Sequence, residues 1–209
     1  LSTKKLIIII GIILISIIFI SFSVFKFFNK KMISNSKIGN NSSSQEIINH
    51  ILNISSYELI AEVEIKSNKT VNKYKMKQQY IYPDIQTQEI IEPENISGVK
   101  LMRNKNEIKL INTTLNLVTI FKEHQYITNN ILNLSDFIEE YKKDDKTSYK
   151  EENNHIILEL NSKRSLYIDK NTGEIMKMQI EDNNKNTMVY ILYNEVKVNS
   201  LEEEKIENK

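Results

Sequence analysis

The chain has 209 residues, a formal net charge of +1 and no cysteine, which excludes disulfides, thiolate metal sites, thiol nucleophiles and lipid attachment at a lipobox. Its four glycines, Gly11, Gly39, Gly98 and Gly173, are too dispersed for a phosphate-cradling loop, which needs them clustered. Residues 1–31 hold five lysines and no acid, so the remainder carries −4, and that balance argues against a nucleic-acid partner.

Residues 6–25 form an uncharged run dominated by Ile, Leu, Phe and Val. A helix of that length, rising ~1.5 Å per residue, crosses a ~30 Å hydrocarbon core with every backbone group paired internally. Residues 1–29 are therefore expected to be a membrane anchor, with Leu6, Ile10, Leu14, Ile18, Phe22 and Phe25 in the span. A cleaved signal would need small residues at its end, yet the only alanine of the chain is Ala61. Lys4 and Lys5 before the run oppose Lys26, Lys30 and Lys31 after it, so charge bias does not orient the span. The run's place near the N-terminus sets the expectation of a single-pass protein of the cell membrane with its domain outside the cytoplasm.

Residues 30–43 are polar, rich in Ser and Asn, and read as a flexible linker; 44–200 read as one folded domain and 201–209 as a charged tail. Ser43 and Glu46 have capping-box spacing, and Ile47, Ile48, Ile51 and Leu52 share a helical face, which predicts a short helix. Period two follows. Tyr57, Leu59, Ala61, Val63 and Ile65 alternate with polar neighbours over 57–66, and Tyr74, Met76, Tyr80 and Tyr82 oppose Lys73, Lys75 and Lys77 over 73–82. Ser67 to Thr70 suits the hairpin turn between these two strands, and Pro83, which lacks a ladder donor, ends the second.

A third strand is expected over 84–91, and a further hairpin over 99–103 and 107–111, turning at Asn104-Lys105-Asn106, since asparagine tolerates left-handed backbone. After a mixed region, Ser135 is expected to cap a helix to about 142 with Phe137, Ile138 and Tyr141 as its apolar stripe. Strands over 147–151, 155–160, 165–169, 174–181 and 187–198 complete the domain. The last is apolar on both faces, Met188, Tyr190, Leu192, Val196 and Val198 opposing Val189, Ile191 and Tyr193, which predicts cover on both sides. Nine or ten antiparallel strands with two short helices predict a mainly β (α+β) domain, a curled sheet forming a half-barrel over a helical plug.

The chemistry is sparse. His50, His124 and His155 lack the i, i+4 or HExxH context that collects a metal, and no nucleophile elbow or SxxK pair is present. Asp169-Lys170-Asn171-Thr172-Gly173 imitates half a calcium loop, but position twelve is Ile180, so a hairpin turn is the better reading. The expectation is a protein that is not an enzyme and takes no cofactor. Tyr74, Met76, Tyr80, Met102, Met176, Met178 and Tyr190 are candidate linings of an adaptable apolar groove, suited to an acyl chain or a partner segment.

Several segments carry a resemblance: Tyr74-Lys75-Met76-Lys77-Gln78-Gln79-Tyr80; Tyr82-Pro83-Asp84 with Glu89-Ile90-Ile91-Glu92-Pro93-Glu94 and Ser97-Gly98; Asn112-Thr113-Thr114-Leu115-Asn116-Leu117; and Tyr167-Ile168-Asp169-Lys170-Asn171-Thr172-Gly173. Together they resemble the LolA-like germination lipoproteins of spore-forming clostridia, the GerS family, over about residues 46–200. The resemblance implies an incomplete antiparallel barrel cupped over helices, outside the membrane, that works by binding. It implies as partner a zinc-dependent N-acetylmuramoyl-L-alanine amidase that prepares spore cortex peptidoglycan, in sporulation and germination. The chain departs from the family in its anchor, a span in place of a lipidated cysteine. A lipid or lipoprotein acyl chain held in the half-barrel, as carrier or sensor, is the alternative expectation, and an unclosed sheet leaves pairing of two copies at a sheet edge open.

Overall fold

A computed structural model describes residues 42–104, 107–122, 132–145, 147–160, 163–181 and 187–201, all within one compact unit, Ile38–Lys209. The expected span and nearly all of the linker and charged tail, with His124, lie outside the described residues, among which no helix is long and apolar enough to cross a membrane.

Ser43 caps the first helix, α1 (Ser44–Leu52), through the predicted capping box: the Ser43 N–H donates to Glu46 Oε2 at 2.8 Å and the Glu46 N–H donates to Ser43 Oγ at 3.3 Å. Six strands follow as a meander: β1 (Ser56–Lys66), β2 (Val71–Ile81), β3 (Ile85–Glu92), β4 (Val99–Asn104), β5 (Glu107–Asn112) and β6 (Leu117–Lys122). The second helix, α2 (Leu134–Lys143), leads into a second meander of β7 (Ser148–Glu152), β8 (His155–Leu160), β9 (Arg164–Asp169), β10 (Ile175–Glu181) and β11 (Met188–Val198). Antiparallel pairing of β1 with β11 joins the two meanders into one open sheet of order β6-β5-β4-β3-β2-β1-β11-β10-β9-β8-β7. Its ends are β6 and β7, the strands that flank α2 in sequence.

Both helices pack on one face of the sheet. Ile47, Ile48 and Ile51 of α1 and Leu134, Phe137 and Ile138 of α2 are buried against the alternate residues Tyr57, Leu59, Ala61 and Val63 of β1, continued by Leu158, Leu166, Met178 and Ile191. Ala61 faces Met76 on one neighbour and Tyr193 on the other, so the smallest side chain of the row lies between two large ones.

Three sequence expectations change. β6 lies in the stretch read as mixed, raising the strands among the described residues to eleven. Ser135 is not the cap of α2: Asn133 stands at that position, while the Ser135 hydroxyl accepts from buried Tyr57 at 3.2 Å. β11 is not covered on both faces. The β1–β11 register shifts between Glu58 and Ile60, where Glu195 adopts φ 51°, and the extra residue puts Val196 and Val198 on the core side with Val189, Ile191 and Tyr193. Leu192 on the other face is 45% exposed.

Gly98 opens β4 at φ +79°, where a Cβ would stand 2.3 Å from Thr113 Oγ1. Its N–H donates to the Ile90 carbonyl at 2.9 Å and its own carbonyl accepts from Thr113, so the position is held from two sides. Gly98→Ala is expected to cost about 2 kcal/mol, from left-handed backbone and the clash together, read as a lower urea midpoint with an unchanged slope.

Candidate binding site

Two features of the sheet separate structure from available surface. The first is a polar seam on the helix-bearing face of β2 and β3. Gln78 and Gln86 are buried there. Gln78 Nε2 donates to the Leu132 carbonyl at 3.0 Å, while Gln86 accepts from Asn133 Nδ2 at 3.1 Å and donates to Asp136 Oδ1 at 2.9 Å. Arg103 Nη2 on β4 donates to that same oxygen at 2.8 Å. The continuous apolar core includes residues of β1, β2 and β8 to β11 but stops at this seam. β4, β5 and β6 stand beyond it as a wing. Beside the seam, burial pushes the Tyr57 phenol well above its ordinary range, so it stays a neutral donor.

The second feature is the face of the sheet opposite the helices. Strand alternation places Glu58, Glu62 and Glu64 of β1, Lys73, Lys75 and Lys77 of β2, and Tyr190 and Leu192 of β11 there, in register. A cleft of about 550 Å³ opens where β1, β2 and β11 meet the end of β3. Tyr190 and Leu192 line it with the charged groups Glu62, Glu64, Lys66 and Lys73, and Glu92 and Pro93 close one end. Glu64 accepts from Lys66 at 2.8 Å and Lys73 at 3.1 Å, and these bonds, Lys66 foremost, hold its carboxyl below the usual range. Lys66 Nζ also lies 5.0 Å from the Tyr190 ring centroid, a cation–π distance. Nearby, Lys77 pairs with Glu58 at 2.8 Å, and Lys177 sits 4.3 Å from the ring of Tyr167.

The candidate groove residues divide between the two faces. Met76, Tyr80 and Met178 are buried in the core, and Tyr74 packs half-buried against it. Tyr190 is on the opposite face at the cleft, Met102 faces the same way on β4, and Met176 sits at an irregularity of β10, half-buried. Tyr74 and Tyr190 both line the cleft; the other five do not. Sequence reading missed Leu192 as a site residue, although an apolar side chain between Tyr190 and Asn194 on a period-two strand was the available signal.

The Asp169 turn is a hairpin. The Asp169 carboxylate accepts from the N–H groups of Thr172 at 2.9 Å and Asn171 at 2.8 Å, and these bonds, Thr172 foremost, hold it below its ordinary range, while Gly173 takes φ 71°. His50 is on α1 and His155 at the start of β8, where its ring meets Tyr167 edge-on. No three His, Asp or Glu side chains converge as metal ligands among the described residues.

No known family model matches this chain, and no curated protein does. Solved structures do. An uncharacterized conserved protein from Thermus thermophilus aligns at TM-score 0.50 and 12% identity, covering 79% of this chain and 93% of that one. The LolA superfamily protein NE2245 from Nitrosomonas europaea aligns at 0.44 and 9%, over 78% and 96%. A chain from the complex of the CwlD amidase with the GerS lipoprotein of Clostridioides difficile aligns at 0.41 and 21%, over 78% and 96%. The likeness to the Thermus protein shows a shared fold.

Proposed function

We propose that the chain is a membrane-anchored, non-enzymatic adaptor outside the cytoplasm, which binds a cell-envelope enzyme through the face of the sheet opposite its helices. The cleft carries this reading. An aromatic and an aliphatic side chain, Tyr190 and Leu192, line it together with groups of both charge signs, Lys66 and Lys73 against Glu62 and Glu64. Interfaces use that composition: a central apolar or aromatic anchor supplies most of the binding energy, and surrounding charges exclude water and set orientation. Charged residues of both signs that pair with one another suit the rim of an interface, because their partners can be exchanged on contact.

The resemblance of the strand and turn segments to the GerS family supports the choice of partner, a zinc-dependent N-acetylmuramoyl-L-alanine amidase acting on spore cortex peptidoglycan. The zinc belongs to the amidase in this reading. Purified full chain in detergent, titrated against such an amidase of the same cell, is expected to bind saturably. Leu192→Asp and Tyr190→Ala are each expected to weaken binding at least tenfold, about 1.4 kcal/mol, while Tyr149→Ala on β7 leaves it unchanged. Loss of binding in all three variants alike, or no binding by the unaltered chain, would overturn the assignment.

A further inference from the structure

β2 runs further than the strand beside it. It pairs with β1 along its whole length, from Val71 opposite Lys66 to Ile81 opposite Ser56, but β3 ends at Glu92 opposite Lys75. Among the described residues, Val71 to Tyr74 therefore have a strand on one side only. The connection after β3 leaves the gap open. Pro93 is followed by a single 3-10 turn, Glu94–Ile96, and the Gly98 N–H returns to the Ile90 carbonyl at 2.9 Å, so the chain starts β4 on the far side of β3.

The register says which backbone groups this step exposes. In an antiparallel ladder, opposed pairs that exchange both N–H to carbonyl bonds alternate with pairs that exchange none. The Ser67 N–H donates to the Thr70 carbonyl at 2.9 Å and, at the other end of the pair, the Tyr82 N–H donates to the Ser55 carbonyl at 2.8 Å. Both ends give the same parity: Asn72 and Tyr74 turn their backbone groups to β1, and Val71 and Lys73 turn theirs to the open side. The cleft reaches that side, since Lys73, Tyr74 and Lys75 line it with Glu92 and Pro93 at the end of β3. Side-chain charge is not what the step offers, because Lys73 is paired with Glu64 at 3.1 Å and Lys75 lies 3.9 Å from Glu92. It offers main chain, about 13 Å of strand edge at ~3.3 Å per residue.

We propose that the protein partner adds a short extended segment of its own at this step, continuing the line of β3 beside Val71 to Tyr74. Alternate donors and acceptors at strand spacing are matched by another strand, the mode in which main-chain bonds give affinity and alternate side chains give specificity. Parity sets the character of the segment. Its residue beside Tyr74 lies on the helix-bearing face, where Tyr74 packs against the core, and is apolar. Its residue beside Lys73 extends the row Tyr190, Glu64, Lys73 on the cleft face. The segment carries no proline where it meets Val71 and Lys73, since a donor is needed there. The inference rests on the cleft as the partner site and names what enters it.

Hydrogen exchange of the full chain in detergent, resolved by residue, tests it. In the free chain Asn72 and Tyr74 are expected to exchange slowly and Val71 and Lys73 fast; saturating amidase is expected to slow Val71 and Lys73 at least tenfold. Val71→Pro, at the first residue of β2, where a proline leaves the pairing with β1 intact, is expected to weaken amidase binding at least fivefold. Val71→Thr, which keeps the N–H, is expected to weaken it less than twofold, and circular dichroism confirms that both variants are folded. Binding that Leu192→Asp still abolishes, with Val71 and Lys73 exchanging as fast as before or with Val71→Pro binding as well as the unaltered chain, would overturn this proposal and leave the cleft assignment standing. Absence of any amidase binding would overturn both. Protection of Val71 and Lys73 in the free chain at every concentration would overturn it in favour of a segment of the same chain, and protection that grows with protein concentration in favour of a second copy.

Discussion

Asp136→Ala is expected to lower the stability of the domain by about 3–5 kcal/mol, the larger part arising from what the substitution leaves behind. One carboxylate oxygen, on a side chain only 8% exposed, accepts both the Arg103 guanidinium and the Gln86 amide. Removing it deprives the Arg103 guanidinium of this carboxylate and the Gln86 amide of its acceptor, in a seam where Asn133 is already committed to Gln86. A buried charge without its partner costs far more than the pair contributes over apolar substitutes of the same volume. The double variant Asp136→Leu with Arg103→Met is therefore expected to recover much of the loss. Urea unfolding measures both. A change under about 1 kcal/mol for Asp136→Ala, the size of an exposed pair, would mean that the seam does not fasten the wing to α2.

Phe137→Ala is expected to cost about 3–5 kcal/mol by a different route, a cavity in a close-packed core. The ring is fully buried on α2, its centroid 5.9 Å from that of Tyr141 in a stacked pair, in the cluster that holds Leu134 and the α1 isoleucines. No polar group loses a partner, so the loss scales with the volume removed, and Phe137→Leu is expected to cost less than half as much. The urea midpoint should fall for both with the slope unchanged, because the surface exposed on unfolding is nearly the same. An Ala variant as stable as the Leu variant would show that α2 collapses into the gap.

The parts of this fold legible in the sequence are those where one face is buried and the other wet. The alternation of β1 and β2 sorted their faces correctly because Tyr57 to Val63 must face the helices while the glutamates and lysines cannot, and the two strands pair antiparallel as expected. Ser43 and Glu46 gave the start of α1, and Asp169 to Gly173 gave a hairpin, because those turns are closed by their own side chains. β6 was illegible for the opposite reason. Leu117, Val118, Ile120 and Phe121 do not alternate with polar residues, because β6 exposes apolar side chains on both of its faces, Leu117 on one and Val118 and Ile120 on the other. β11 misled because a bulge at Glu195 changes parity, and period-two reading cannot see an inserted residue. Ser135 had the right chemistry for a cap, but a buried tyrosine hydroxyl competed for it.

The candidate site was half visible. Tyr190 stands out in the sequence for its apolar character, yet the methionines read beside it serve the packing under the helices, where flexible side chains fill irregular gaps. Period two assigns residues to faces but does not say which face the helices take. Only the pairing of β1 with β11, which brings together segments from opposite ends of the domain, puts Leu192 beside Glu62 and creates the cleft.

The two ends of the sheet are unlike. β7 is exposed along its whole length and carries Lys150, Glu151 and Glu152, with Glu151 already engaged by Lys170; β6 is apolar, with Leu117, Val118 and Ile120 exposed. Head-to-tail stacking of one molecule on the next would have to marry these mismatched rims at every step, so growth into fibrils has no repeating joint. The one self-match on offer, apolar rim to apolar rim, is symmetric and uses itself up in a single event, so the sheet can leave its end strands open without polymerising.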